Sequence, residues 1–235
     1  MNEQKLREEI EKLREFDTAL LANTLGYLDP TPAHEFYMGG SIRSMTPTLG
    51  PTVGVAVTCC IDSSSPGQEA AFDDYWEQLE QIRLMKVPVI WVAKCVGSRP
   101  DHECVIGDGM GKMLASVGCV GVVTDGGVRD IEGLLTVPMP TYAKGITIHH
   151  TALRFSRINQ PVEIGGITVN TGDVLHANAE GVIKLPKEKL EPLSPKAVQM
   201  RAFEYEAHQV LRDPGITPLM KRQQVQEVLA RYGFQ

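Results

Sequence analysis

The sequence predicts an α/β fold with helices at both ends, on three observations. Runs of β-branched and small apolar residues at 52–61 and 87–96, and a third beginning at Cys119, have the texture of strands buried on both faces of a sheet. Stretches with apolar residues at helical spacing separate them, so strand and helix alternate through the middle of the chain. Helical stripes in a charged background open and close it.

The elements follow in order. Leu6, Ile10, Leu13 and Phe16 mark an amphipathic helix predicted over 3–25. Gly, Pro and Thr between 26 and 51 indicate loop or short strand. After the first strand, SSSPGQEA supplies a turn and a helix start, and Phe72, Tyr75, Trp76, Leu79 and Ile82 form an apolar stripe. The second strand leads through a loop at 97–107 to GDGMGKMLASVG, where Met110, Met113, Leu114 and Val117 share a helix face; the third strand ends in the Gly-rich turn before Arg129. From about Pro138 short strands with turn signals predict antiparallel or mixed sheet. Two closing helices, about 187–212 and 217–232, are separated by Asp213-Pro214-Gly215. With no linker or repeat, the chain reads as a single domain over 1–235, its core at 40–186.

Composition excludes several classes. Of 235 residues, 23 are Lys or Arg and 29 Asp or Glu, a net charge of -6, and no basic run provides the field that nucleic acid demands. The charged N-terminus has neither a signal peptide's apolar stretch nor a bilayer span, so a cytoplasmic protein without membrane or nucleic-acid partners is expected. Five cysteines, Cys59, Cys60, Cys95, Cys104 and Cys119, form no C-x-x-C pair; neither a disulfide framework nor a structural zinc site is expected.

The chemistry concentrates in residues 105–134, VIGDGMGKMLASVGCVGVVTDGGVRDIEGL. Asp108 stands at a helix start, and Arg129 and Asp130 follow the strand to which that helix returns. Ligands of such units collect where helices begin and strands end, so the three residues are expected in one crevice. The set suits a small keto-acid anion: backbone N–H groups of Gly109 and Met110 for a carboxylate, the Arg129 fork for a developing oxyanion, and Asp130 as a hard ligand for Mg2+. The bland alternatives are a helix cap for Asp108 and a turn-closing ion pair for Arg129 and Asp130; the joint spacing favours the site. GDGMGK lacks the full nucleotide-loop patterns and no clean strand is expected to run into it. His149 and His150 have no third ligand at metal spacing and read as surface or oligomer-contact residues.

Asp108, twenty intervening residues, then Arg129-Asp130 resembles the D-x20-R-D pattern of the 4-hydroxy-4-methyl-2-oxoglutarate aldolases, within the wider family of regulator-of-ribonuclease-activity A (RraA-like) proteins. The likeness extends from the GVAVT strand through GVVTDGGVRD to GDVLHANAEGVIKLP; Asn178 and Glu180 depart from Asp residues common in the last segment. The resemblance implies a swivelling β/β/α fold like that of phosphohistidine domains, assembled as trimers or hexamers with active sites between subunits. It further implies that Gly107, Asp108, Gly109 and Met110 form a substrate-binding loop, that Arg129 binds substrate, and that Asp130 ligates Mg2+ or Mn2+. It also draws attention to Glu204 and Glu206 as candidates to reach a neighbouring subunit's site, against the alternative of a solvated helix face. The expected activity is retro-aldol cleavage of a 4-hydroxy-2-oxo acid to pyruvate, a water ordered by Asp108 carrying the hydroxyl proton, with oxaloacetate decarboxylation as a side reaction. No Schiff-base lysine is required, and Lys112 is expected to matter less than Arg129. The alternative is a non-catalytic regulator that binds a ribonuclease by protein contact; a methyltransferase reading finds no cofactor-binding glycine motif.

Overall fold

A computed structural model describes residues 1–234. The predicted N-terminal helix is two helices, α1 (Glu3–Leu13) and α2 (Thr18–Leu25), because the Asp17 carboxylate accepts the Leu20 N–H at 2.7 Å and caps a new helix there. After a short strand, β1 (Arg43–Ser44), comes the long β2 (Thr52–Asp62), buried along nearly its whole length. Helix α3 (Asp73–Leu84) buries Tyr75, Leu79 and Ile82, whereas Trp76 of the predicted stripe is exposed. Strand β3 (Val89–Cys95) follows, then β4 (Cys104–Ile106), α4 (Asp108–Ser116), β5 (Cys119–Thr124), β6 (Gly127–Val128) and α5 (Ile131–Thr136). On α4 it is Leu114 that is fully buried; Met113 points to solvent.

The remaining strands are β7 (Thr141–Ala143), β8 (Gly145–Ile146), β9 (Arg154–Ser156), β10 (Val162–Ile164), β11 (Ile167–Val169), β12 (Val174–Asn178) and β13 (Gly181–Leu185), and the chain closes with α6 (Leu190–Arg212) and α7 (Pro218–Arg231). The main sheet runs β1-β7-β5-β3-β2-β12-β13, with β9 also on β2. Its centre, β7-β5-β3-β2, is parallel, and β1, β9, β12 and β13 are antiparallel additions. A separate sheet of three short parallel strands, β4-β6-β8, pairs Cys104 with Gly127 and Gly127 with Gly145. The prediction of antiparallel or mixed sheet after Pro138 therefore holds as mixed: β7 and β8 are parallel continuations of the α/β unit.

Alternation along β2 divides the core. Val57, Cys59 and Ile61 pack with Leu79, Ile82 and Leu114 under α3 and α4; Ala56 and Cys60 face the β10-β11 hairpin; Val53 and Val55 pack against α1, α2 and α6. One buried polar staple ties the last layer to the sheet. His176 on β12 has its Nδ1 3.0 Å from the Thr18 hydroxyl and its Nε2 3.2 Å from the Leu13 carbonyl oxygen. All five cysteines are unpaired, as expected. No helix among the described residues is long and apolar enough to cross a membrane.

Candidate active site

The three strands of the small sheet point the same way, and the loops leaving their C-terminal ends carry the polar groups of one cavity. β4 ends into Gly107 and Asp108, β6 into Arg129 and Asp130, and β8 into the segment bearing His150; these residues line a cavity of about 250 Å³. That volume lies below the range of about 300–1,000 Å³ typical for drug-sized ligands and suits a small acid. Asp108, Arg129 and Asp130 thus come together as the sequence spacing predicts. A short strand does run into the GDGMGK loop, contrary to the sequence reading, and it is this strand that aligns the loop with Arg129: the Arg129 N–H donates to the Ile106 carbonyl at 2.9 Å.

Gly107, rather than Asp108, occupies the N-cap position of α4, and it has no side chain to cap with. The N–H groups of Asp108, Gly109 and Met110 precede the first intrahelical bond, Gly111 N–H to Gly107 carbonyl at 3.0 Å, and so can serve an anion. Glycine is required at 107 by proximity: a Cβ there would stand 2.6 Å from Asp130 Oδ2 and 3.1 Å from Arg129 Nε. Gly133 plays the same part on α5, where a Cβ would stand 2.4 Å from the Asp108 Cβ.

Asp130 adopts a left-handed backbone, φ 56° and ψ 44°, at the head of α5, but its carboxylate makes no capping bond. That conformation costs a non-glycine residue about 1 kcal/mol and persists because neighbouring bonds fix it. Arg129 is held through Ile106, and the Asp130 carbonyl accepts the Leu134 N–H at 3.0 Å. The strain turns the carboxylate toward the cavity, half-exposed. Its contact with Arg129 is one-sided, Nε to Oδ2 at 3.4 Å, which leaves the guanidinium's terminal nitrogens without a protein hydrogen bond among the described residues. A turn-closing ion pair would use the fork.

Asp108 accepts a hydrogen bond from Lys112 at 2.6 Å, one turn along α4; this bond, with the ammonium charge, holds its carboxyl below the usual range. Lys112, expected to matter less than Arg129, is therefore tied directly to a site carboxylate. Cys104 in the cavity wall is pushed up by burial and is no thiolate. Among the described residues no three His, Cys, Asp or Glu side chains gather into a ready-made metal cage. The uncapped Asp130 carboxylate, with Asp108 across the cavity, fits instead a hard ion such as Mg2+ or Mn2+, which takes one or two carboxylates and completes its shell with water and ligand oxygens.

A family model described as RraA-like (Aldolase/RraA) matches residues 29–184, a span that holds the whole of this cavity. The chain belongs to the RraA-like family. A protein of Halalkalibacterium halodurans named "Putative 4-hydroxy-4-methyl-2-oxoglutarate aldolase" is 29% identical over 112 residues, 47% of this chain and 53% of the relative. A namesake from Albidiferax ferrireducens is 26% identical over 172 residues, 66% of this chain and 91% of the relative. The chain spans about half the length, or less, of several curated relatives it matches. A crystal structure of Streptomyces coelicolor RraAS2, described as an unusual member of the RNase ES inhibitor RraA protein family, shares the fold with a TM-score of 0.67 at 20% identity, covering 86% of this chain and 96% of that one. The RraA-like fold, with its mixed sheet and terminal helices, agrees with the resemblance read from the sequence.

Other singled-out residues lie elsewhere. Glu204 and Glu206 on α6 do not line the cavity of their own chain: Glu204 accepts from Asn23 at 3.2 Å, and Glu206 accepts from Arg231 at 2.8 Å and from the Tyr232 hydroxyl. Asn178, where the RraA-like pattern has Asp, accepts the Glu180 N–H at 2.9 Å and closes the β12-β13 turn as Asp would. The 97–107 loop is pinned from within by Glu103, whose buried carboxylate accepts the Ser63 N–H at 2.8 Å and the Gly97 N–H at 2.6 Å as well as the Ser63 hydroxyl. The cavity residue that sequence reasoning missed is His150, half-buried beside the exposed His149. Its signal was the repeat of strand ends, 106, 128 and 146, which becomes visible only once the two-residue β8 is known.

Proposed function

We propose that this RraA-like chain is a divalent-metal-dependent carbon–carbon lyase that cleaves 4-hydroxy-4-methyl-2-oxoglutarate-like acids to pyruvate and decarboxylates oxaloacetate as a side reaction. The observation that carries the reading is the convergence of Asp108, Arg129 and Asp130 on one small cavity, with Asp130 in a left-handed backbone that spares its carboxylate from capping. The names of the two relatives above support the same class.

In this reading the substrate's carboxylate binds at the uncapped start of α4, where oriented N–H groups and the helix dipole favour negative charge. Arg129 offers its unpaired terminal nitrogens to the oxygen that becomes anionic as the carbon–carbon bond breaks, the costly charge of the transition state. Asp130, helped by Asp108, would hold Mg2+ or Mn2+. Such an ion, when bound, supplies Lewis acidity at the 2-oxo group. Lys112 is committed to Asp108, so no amine is offered for a Schiff base.

We further read the chain as one RraA-like domain acting in the cytoplasm as a homo-trimer or homo-hexamer. Ile146 at the end of β8 and Ile148 on the segment that leads to His150, 66% and 84% exposed, support burial of that face by a neighbouring copy. Glu204, with one weak protein partner, is then a better candidate than Glu206 to reach a neighbour's site.

The test is pyruvate release from 4-hydroxy-4-methyl-2-oxoglutarate and from oxaloacetate, coupled to lactate dehydrogenase, with Mg2+ and with EDTA, and after borohydride treatment in the presence of pyruvate. Turnover that EDTA abolishes and borohydride spares is expected. Turnover in EDTA, or its loss to borohydride, contradicts the metal-dependent reading; no turnover under any condition shifts the assignment to a regulator acting by protein contact.

A further inference from the structure

We propose that His150 is the catalytic base of this site, its Nε2 taking the proton from the substrate's 4-hydroxyl. The inference rests on the lyase reading and goes beyond it, since neither the sequence spacing nor the family likeness assigns this histidine a role.

Retro-aldol cleavage requires the C4 hydroxyl to lose its proton as the C3–C4 bond breaks, to a lone pair on the cavity wall either directly or through one water. Five side chains on that wall can exchange or carry charge: Cys104, Asp108, Arg129, Asp130 and His150. Arg129 has no lone pair to offer. Cys104 is held as a thiol by burial. Asp130 is the metal ligand of the proposed function. Asp108 is engaged by the Lys112 ammonium at 2.6 Å and stands beside Asp130 as a second carboxylate for the ion.

His150 remains, and its hydrogen bond defines its tautomer. Nδ1 lies 2.7 Å from the Thr151 carbonyl oxygen. A carbonyl can only accept, so Nδ1 carries the hydrogen, and in the neutral ring Nε2 has the lone pair. A backbone carbonyl that fixes the opposite nitrogen is the usual means of orienting a base. The ring is half-buried in the cavity wall, on the segment that follows, four residues on, the end of the third strand of the sheet whose first two strand ends deliver Asp108 and the Arg129-Asp130 pair.

The step balances within the substrate. Nε2 takes the hydroxyl proton, the O–H electron pair forms the C4 carbonyl of one product, and the C3–C4 pair moves into the enolate of the other. The imidazolium then returns a proton to C3, giving pyruvate, and no oxidant, reductant or co-reactant is consumed. Decarboxylation of oxaloacetate forms the same enolate by loss of CO2 and has no hydroxyl proton to remove. The two reactions therefore differ in their need for His150.

The experiment compares the unaltered protein, His150→Gln, His150→Ala and, as a control at the exposed neighbour, His149→Gln, on both substrates with Mg2+. For His150→Gln the ratio of hydroxy-acid cleavage to oxaloacetate decarboxylation is expected to fall about 100-fold, in kcat rather than KM, consistent with the contribution of a general base. Added imidazole should restore part of the cleavage by His150→Ala, while His149→Gln keeps the original ratio. An unchanged ratio, whether both rates hold or both fall by one factor, overturns the role of His150 and leaves the lyase reading standing. Absence of hydroxy-acid cleavage by the unaltered protein overturns both.

Discussion

Lowering the pH from 7 to 5 is expected to cost the fold about 2 kcal/mol through one side chain, His176. Its imidazole is fully buried between β12 and the α1-α2 corner, where Nε2 donates to the Leu13 carbonyl and Nδ1 accepts from the Thr18 hydroxyl. Burial disfavours the cation and pushes the group from 6.5 down to about 4, against the smaller upward pull of the backbone carbonyls. The folded value is the lower one, so the unfolded chain takes up its proton as the pH falls through 6.5, and the folded chain only near 4. Stability is complete above 6.5 and is lost between 6.5 and 4. At about 1.36 kcal/mol per pH unit the full loss is roughly 3–4 kcal/mol, of which a little over half has appeared by pH 5. That is a large share of the 5–15 kcal/mol by which domains are ordinarily stable. Urea midpoints at pH 7.5, 6 and 5 measure it, beside His176→Gln, whose amide keeps a donor for Leu13 but does not titrate. The variant should start less stable and show the shallower decline. Parallel declines would refute the assignment of this acid sensitivity to His176.

Three other outcomes follow from the site and its supports. Gly133→Ala should displace Asp108, because the new Cβ would stand 2.4 Å from that residue's Cβ; turnover is expected to fall more than tenfold with cooperative unfolding retained, as read by kinetics and a thermal melt. Glu103→Gln leaves the buried Ser63 and the part-buried Gly97 donors without their charged acceptor and should lower stability by about 2–3 kcal/mol in urea titration, loosening the 97–107 loop. Arg129→Lys keeps the charge but loses the planar fork, and kcat/KM is expected to drop by about 100-fold, more than for Lys112→Ala.

Much of this architecture is written locally in the chain. The strands at 52–62 and 89–95 are legible because burial on both faces confines charged residues to their C-terminal ends, Asp62 and Lys94, and Asp108, Arg129 and Asp130 are legible because one helix and one strand fix the distance between them. The break at Asp17 was hidden: the apolar stripe runs on past it, and whether an Asp caps a helix or merely sits in one depends on a single bond to Leu20. Trp76 and Met113 fall on predicted helix faces yet remain exposed, since spacing gives a face and neighbours decide its width. His150 was illegible for a related reason. Its place depends on β8, two residues long and without a periodicity of its own, whose pairing with β6 brings a fourth polar group to the ends of the other strands.

The central claim is that Asp130 anchors metal-dependent cleavage, and it is tested most directly by pyruvate release from 4-hydroxy-4-methyl-2-oxoglutarate in saturating Mg2+, by the unaltered protein and by Asp130→Ala. Turnover is expected from the first and its loss, by a factor of about 1,000 or more, from the second, with cooperative thermal unfolding retained and the midpoint slightly lowered, because alanine keeps the Cβ and tolerates the left-handed backbone less well than aspartate. Turnover by Asp130→Ala at a rate near that of the unaltered protein would contradict it.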